Sequence, residues 1–173
     1  MLHLIDAAES ALAAGNNYAA LALCLAMPDI CGWIEDPKTT SRARYTSWFD
    51  RYLKQHYTSR VGALGTEHAF LSASDFYALR CAYLHEGRDE ITDQRAQDVL
   101  TSFQFVVPPS GWAVHCNQVN STLQLQVNIF CTQVIEGVKS FVQALEQRSE
   151  AAARLGSLLL IRDINGVLIR SAA

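Results

Sequence analysis

Between residues 45 and 53 the side chains Tyr45, Trp48, Phe49, Tyr52 and Leu53 recur at i, i+3, i+4, i+7 and i+8. That spacing puts them on one face of an α-helix, and an aromatic face of this size needs an apolar surface to pack against. Thr40 or Ser41 supplies an N-cap oxygen, so a helix over this stretch commits the chain to a core built around it. The same period appears upstream. Leu2, Ile5, Ala8 and Leu12 form a stripe that stops at Gly15-Asn16, and Tyr18, Leu21, Cys24 and Leu25 open a second before Pro28. These predict an antiparallel helix pair, with Pro28 ending or kinking the second helix and Asp36-Pro37 breaking the chain. Further on, Gly62 and Gly65 loosen the segment, Ser72 to Asp75 has the form of a capping box, and Gly87 is a stop signal, which predicts a helix over 75–86. Residues 88–100 read as a polar helical stretch.

The period then changes. Phe103, Phe105 and Val107 alternate before Pro108-Pro109, Val114 and Cys116 alternate in a second run, and Leu123, Leu125 and Val127 alternate with glutamine. Period two predicts a small antiparallel sheet at about 103–127. Phe130, Val134, Val138, Phe141 and Leu145 predict a long helix over about 128–155, and Asn165-Gly166 between two apolar runs marks a C-terminal hairpin. The expectation is a mainly α single domain over 1–173, with a β appendage at about 101–127.

With 173 residues, half of them apolar, the chain can bury one sizeable core. Lys+Arg 14 against Asp+Glu 17 gives a net charge of −3, so any polyanion site must be local. One segment stands out: Lys38, Arg42, Arg44, Arg51, Lys54 and Arg60 face only Asp50 within 38–60, a local excess of +5. From it, Arg42, Arg44, Arg51 and Lys54 are the candidate RNA-backbone contacts. Five cysteines, odd in number and without a CxxC spacing, fit a reduced, cytoplasmic protein. Asp6 and Glu9 precede the apolar run 18–27 and the first basic residue is Lys38, the reverse of a signal peptide's charge order. No apolar run reaches the roughly 20 residues of a membrane span, so no membrane partner is expected. A glycine-rich phosphate loop and a GxSxG motif are both missing, which argues against P-loop nucleotide hydrolysis and serine-esterase chemistry. Glu67-His68 and His85-Glu86 offer metal ligands at no recognised spacing, so neither metal nor cofactor is expected. His115, on the second alternating run, is expected at the surface.

Residues 76–87 read FYALRCAYLHEG. On an ideal helix the five positions between Arg80 and His85 turn through about 140°, so the two leave on different faces. Joint action on one phosphate then requires unwinding near Gly87 or a second chain. A neutral-range imidazole can move the proton of a 2′-hydroxyl, and a guanidinium can neutralise charge building on phosphoryl oxygens. The structural alternative is a histidine favoured at a helix C-terminus, with the arginine paired to Asp75, Glu86 or another acid. Arg51 and His56 share the spacing, but no glycine stop follows them.

This stretch resembles the signature helix of the HEPN superfamily, in which an arginine is followed four to six residues later by a histidine. The resemblance places Arg80 and His85 on the two motif positions. The residue after the motif arginine is often Asn, Asp or His in that family and is Cys81 here. What the resemblance implies is a helical bundle, usually dimeric, acting as a metal-independent endoribonuclease of toxin–antitoxin or antiphage type, with the Arg80/His85 pair at a homodimer interface, RNA as substrate and an antitoxin or other protein as partner. The alternative expectation is a non-catalytic dimeric interaction module that binds a protein or RNA.

Overall fold

The computed structural model describes residues 1–145 and 149–162. Helices α1 (Leu2–Ala13) and α2 (Asn17–Glu35) form the expected pair, and the Asn16 side chain accepts the Ala19 N–H at 3.3 Å to cap the second. Of the two outcomes expected at Pro28, a helix end is not the one observed: α2 runs on to Glu35, and the chain breaks at Asp36-Pro37 as expected. Proline has no N–H for the Cys24 carbonyl, and the neighbouring Leu25 carbonyl accepts the Tyr45 hydroxyl at 3.0 Å, so tertiary contact steadies this turn. By length and composition α2 could cross a membrane. In the fold it is the central core helix, burying Leu21, Cys24, Leu25, Met27, Cys31 and Ile34.

Helix α3 (Ser41–Tyr52) is capped by Thr40 and buries Tyr45, Trp48 and Phe49 as its spacing requires. It meets α2 where Gly32 leaves room. A Cβ on that glycine would lie 2.7 Å from the Arg44 Cβ, so its absence lets the two helices touch and brings Arg44 onto α2. Phe76 of α4 (Ala73–Cys81) stacks on Tyr45 and Phe49, with ring centroids at 4.8 and 5.3 Å, and reaches Phe130 of α5 (Val127–Ala144) at 6.0 Å. The bundle is thus tied through its aromatic interior.

Four departures have physical causes. Between α3 and α4, strands β1 (Thr58–Val61) and β2 (Thr66–Ala69) form an antiparallel hairpin whose turn uses Gly62 and Gly65; its exposed strands lack the apolar alternation that reveals a strand. Residues 88–100 are not helical, because the buried Asp75 carboxylate draws their last backbone N–H groups, those of Asp98, Val99 and Leu100, at 2.7, 3.2 and 3.3 Å. The sheet of β3 (Ser102–Val106), β4 (Asn117–Val119) and β5 (Thr122–Gln126) has order β3-β5-β4 and is mixed: β4 pairs antiparallel with β5, whereas β3 pairs parallel with it, Phe103 opposite Leu123. Phe103, Leu123 and Leu125 join the same buried cluster as the helices, so the sheet is a wall of the core and does not stand apart from it. Finally, the long helix expected over 128–155 is two: α5 ends at Ala144, and α6 (Ser149–Gly156) turns onto α2, where Arg154 donates to the carbonyls of Ile34 and Glu35 at 2.6 and 3.0 Å. A guanidinium there satisfies orphan carbonyls at a helix C-terminus. The hairpin turn expected at Asn165-Gly166 lies outside the described residues.

His115 is also not where its spacing placed it. It sits in the loop between β3 and β4, its ring 5.8 Å from that of Tyr57, and neither ring nitrogen makes a sound hydrogen bond. Burial pushes it below the ordinary histidine value, partly offset by the Gln133 side chain, and His56 adds a smaller push downward. Because the folded value lies below the unfolded one, the unfolded chain takes up this proton first, and stability falls as pH drops through about 6.5. Denaturation midpoints at pH 7.5 and 5.5 should therefore differ by less in His115→Phe than in the parent; an unchanged difference would remove His115 from the acid response.

Candidate functional site

The unusual local structure is at the end of α4. Ser72 opens the helix by accepting the Asp75 N–H at 3.0 Å, and regular α-winding ends at Cys81. Residues Ala82–Glu86 then form a π-turn closed by Gly87, whose φ of +69° is the left-handed conformation that glycine adopts without strain. Widening the helix to i→i+5 bonding brings residues five apart toward one side. This overturns the ideal-helix geometry: Arg80 Nη1 and His85 Nε2 lie 3.1 Å apart within one chain. A guanidinium can only donate, so in this contact Nε2 accepts and the imidazole proton sits on Nδ1.

Arg80 is aimed by Asp29 of α2, not by the acids nearest in sequence. Its Nη2 donates to Asp29 Oδ2 at 3.2 Å, while Oδ1 accepts Arg44 Nε at 2.7 Å. The Ser41 hydroxyl donates to the same carboxylate at 3.0 and 3.1 Å, and Arg44 Nη1 is fixed on the Thr39 carbonyl at 3.1 Å. All three charged side chains are largely enclosed, with 16% of Asp29, 17% of Arg80 and 19% of Arg44 exposed. His85 is exposed at the edge of this cluster. Two guanidiniums share one carboxylate, which leaves an excess positive charge beside an accessible imidazole, a setting suited to an oxyanion. Cys81 Sγ lies 3.9 Å from Arg80 Nη1, and burial, then the Cys81 thiol, raise the Tyr77 hydroxyl above its ordinary value.

The four candidate phosphate contacts do not form one free basic stripe. Arg44 is held by Asp29, and Arg51 makes a two-pronged pair with Glu35, its Nη1 at 2.8 Å from Oε1. Arg42 and Lys54 are exposed on α3 and its following turn. The linear count of charge missed this because the neutralising acids come from α2, outside the 38–60 window. His56, the other histidine at motif spacing, sits on the 3-10 turn 54–57, away from the Arg51–Glu35 fork.

Asp29 was the residue that sequence reasoning passed over. The signal was available: it is the one acid between Glu9 and Glu35, inside a long apolar helix, where an ionised carboxylate requires a partner. Ser41, read only as a helix cap, is its second unrecognised member. Among the described residues no three His, Cys, Asp or Glu side chains converge in a way that could hold a metal ion. In comparisons with known families, curated proteins and solved structures, nothing matches this chain.

Proposed function

We infer that the chain is a HEPN-like endoribonuclease that cleaves RNA without a metal, with His85 as proton carrier and Arg80 as the oxyanion contact. The observation that carries this reading is the 3.1 Å approach of Arg80 Nη1 to His85 Nε2 at an exposed π-turn, with the guanidinium anchored from behind by Asp29. An entering phosphate takes the place of the histidine on Arg80 Nη1 and frees Nε2. The imidazole then accepts the proton of the 2′-hydroxyl, the O2′–P bond forms as the P–O5′ bond breaks, and the imidazolium returns the proton to the departing 5′-oxygen. The products are a 2′,3′-cyclic phosphate and a 5′-hydroxyl. Arg80 neutralises charge on the non-bridging oxygens throughout. In toxin or antiphage settings such a protein acts as a cytoplasmic homodimer restrained by a protein partner. Light scattering on the purified chain tests the dimer: the mass of two chains supports it, and a monomer at working concentration removes it.

Cleavage of RNA in EDTA by the parent and by His85→Ala tests the chemistry. Loss of general acid–base catalysis is expected to slow the reaction at least about a hundredfold. Equal rates would remove the assigned role.

A second reading is favoured by a different observation. Val107 and Trp112, in the loop after β3, are each 71% exposed, which suits a protein-binding surface on a non-catalytic module. Partner capture lost in Trp112→Ala, from a parent that does not cleave RNA, would support it. Deleting the sheet is no test, since Phe103, Leu123 and Leu125 belong to the core.

A further inference from the structure

A pocket of about 470 Å³ opens between α1, α2 and the segment after α6. Its walls include Leu4, Ile30, Leu158 and the indole of Trp33, which keeps 36% of its surface exposed. Its polar end contains Asp29 and Arg44, the pair that also anchors Arg80. Asp29 therefore belongs to both places. From its carboxylate to His85 the path is two hydrogen bonds, 3.2 and 3.1 Å, across a single guanidinium.

We propose that this pocket is a nucleobase subsite, in which the base adjoining the phosphate held by Arg80 and His85 stacks on Trp33. The assignment rests on the RNA reading of that pair. The volume is in the range of small-ligand sites, roughly 300–1,000 Å³, and far short of a protein groove. A base has two apolar faces for the aliphatic walls and a π-face for the indole, and stacking of this kind tolerates any base. The charged end selects the rest of the ligand. Arg44 lines that end and shares the Asp29 carboxylate with Arg80, which lies outside the lining; the resulting excess of positive charge favours a group that carries an anion next to its flat ring, which a nucleotide does and a lipid chain or neutral peptide does not. Besides Asp29 and Arg44 at the charged end and the indole of Trp33, His3 is the one hydrogen-bonding side chain of the lining among the described residues, so the subsite should position the strand mainly by stacking and discriminate little between bases.

The test separates binding from cleavage by using a fluorescently labelled 2′-O-methyl RNA tetranucleotide, whose blocked hydroxyl cannot attack. With full-length protein, Trp33→Ala is expected to weaken its Kd about tenfold, in line with the loss of one base–aromatic stack. Replacing the internal bases by abasic units should cost the parent a similar factor and cost Trp33→Ala little more, the signature of a shared contact. Leu159→Glu, at a pocket-lining position 81% exposed and thus harmless to folding, should also weaken binding several-fold by setting a carboxylate beside the strand. Tyr18→Ala, which removes an aromatic ring 80% exposed and outside the pocket lining, serves as the control. Kd values within twofold of the parent for both pocket variants, or an abasic probe that binds as well as the intact one, would overturn the subsite. Trp33-dependent binding by a parent that leaves unmodified RNA intact supports the subsite and removes the endonuclease reading; cleavage with Trp33-independent binding does the opposite.

Discussion

Replacing Asp29 by alanine is expected to lower the stability of the fold by about 2–4 kcal/mol and to disable Arg80 at the same time. The carboxylate accepts from Arg44, Arg80 and Ser41, and no other acid among the described residues pairs with either guanidinium. Without it, two largely enclosed positive charges face each other. Removing one partner of a fully buried pair costs about 3–5 kcal/mol; the 16–19% exposure here lets some water in, which lowers the figure. Urea denaturation should show a reduced midpoint with an unchanged slope. Asp29→Asn keeps the shape and one acceptor oxygen but no charge, so its intermediate loss measures the ionic part. A double-mutant cycle between Asp29→Ala and Arg44→Met should give a coupling energy above about 0.5 kcal/mol. Stability within that margin of the parent for Asp29→Ala would mean that the cluster does not hold α2, α3 and α4 together.

That hub explains why the sequence was informative about helices and less so about the site. Helical spacing identified α1, α2, α3, α4 and the start of α5, because each buries a stripe, and a stripe is a local pattern. What local pattern cannot carry is partner choice. Arg80 could have paired with Asp75 or Glu86 on sequence distance alone; in the fold Asp75 is turned inward to backbone amides, Glu86 faces Arg88, and the partner comes from 51 residues away. The basic run on α3 misled in the same way, since its acids lie on α2. Likewise, Gly87 announced a helix stop but not the π-turn before it, and the divergence of Arg80 and His85 followed from assuming ideal winding up to that stop. A one-residue widening turned a predicted separation into contact.

The first and third alternating runs are strands, β3 and β5, but the antiparallel pairing expected of them failed for a related reason, and the second run, Val114 and Cys116, lies in the loop before β4. The alternation at Phe103, Leu123 and Leu125 correctly marked one buried face, but alternation is identical in parallel and antiparallel pairs. The loop 107–116 and the β4–β5 hairpin return the chain so that β5 runs alongside β3 in the same direction, and Gln104, Gln124 and Asn117 join side-chain amides across the outer face.

Asp75 carries an expected stability effect at least as large as that of Asp29, and replacing it distinguishes two roles that the sequence merged. Ser72 to Asp75 reads as a capping box, in which the acid would serve the helix start. In the fold the acid does more than this. Besides accepting the Ser72 hydroxyl at 3.1 Å, its oxygens take the backbone N–H groups of Asp98, Val99 and Leu100, and only 1% of the residue is exposed. Hydrogen bonds to a charged acceptor contribute about 1.5–3 kcal/mol each, but Asp98 and Val99 are exposed and can turn to water, so the sum overstates the loss. Asp75→Ala should cost about 3–5 kcal/mol, against about 1 kcal/mol for Ser72→Ala, which removes the cap and one exchangeable donor to the carboxylate but leaves its three backbone donors. Asp75→Asn should recover little, because its amide nitrogen presents hydrogens to donors. Hydrogen exchange locates the effect: the Leu100 amide, which is buried, should lose protection in Asp75→Asn while the amides of α1 keep theirs. If Asp75→Ala costs no more than Ser72→Ala, the carboxylate is only a cap, and the irregular path of residues 88–100 must be held by the Ile91 to Thr101 bond and the burial of Ile91 and Leu100.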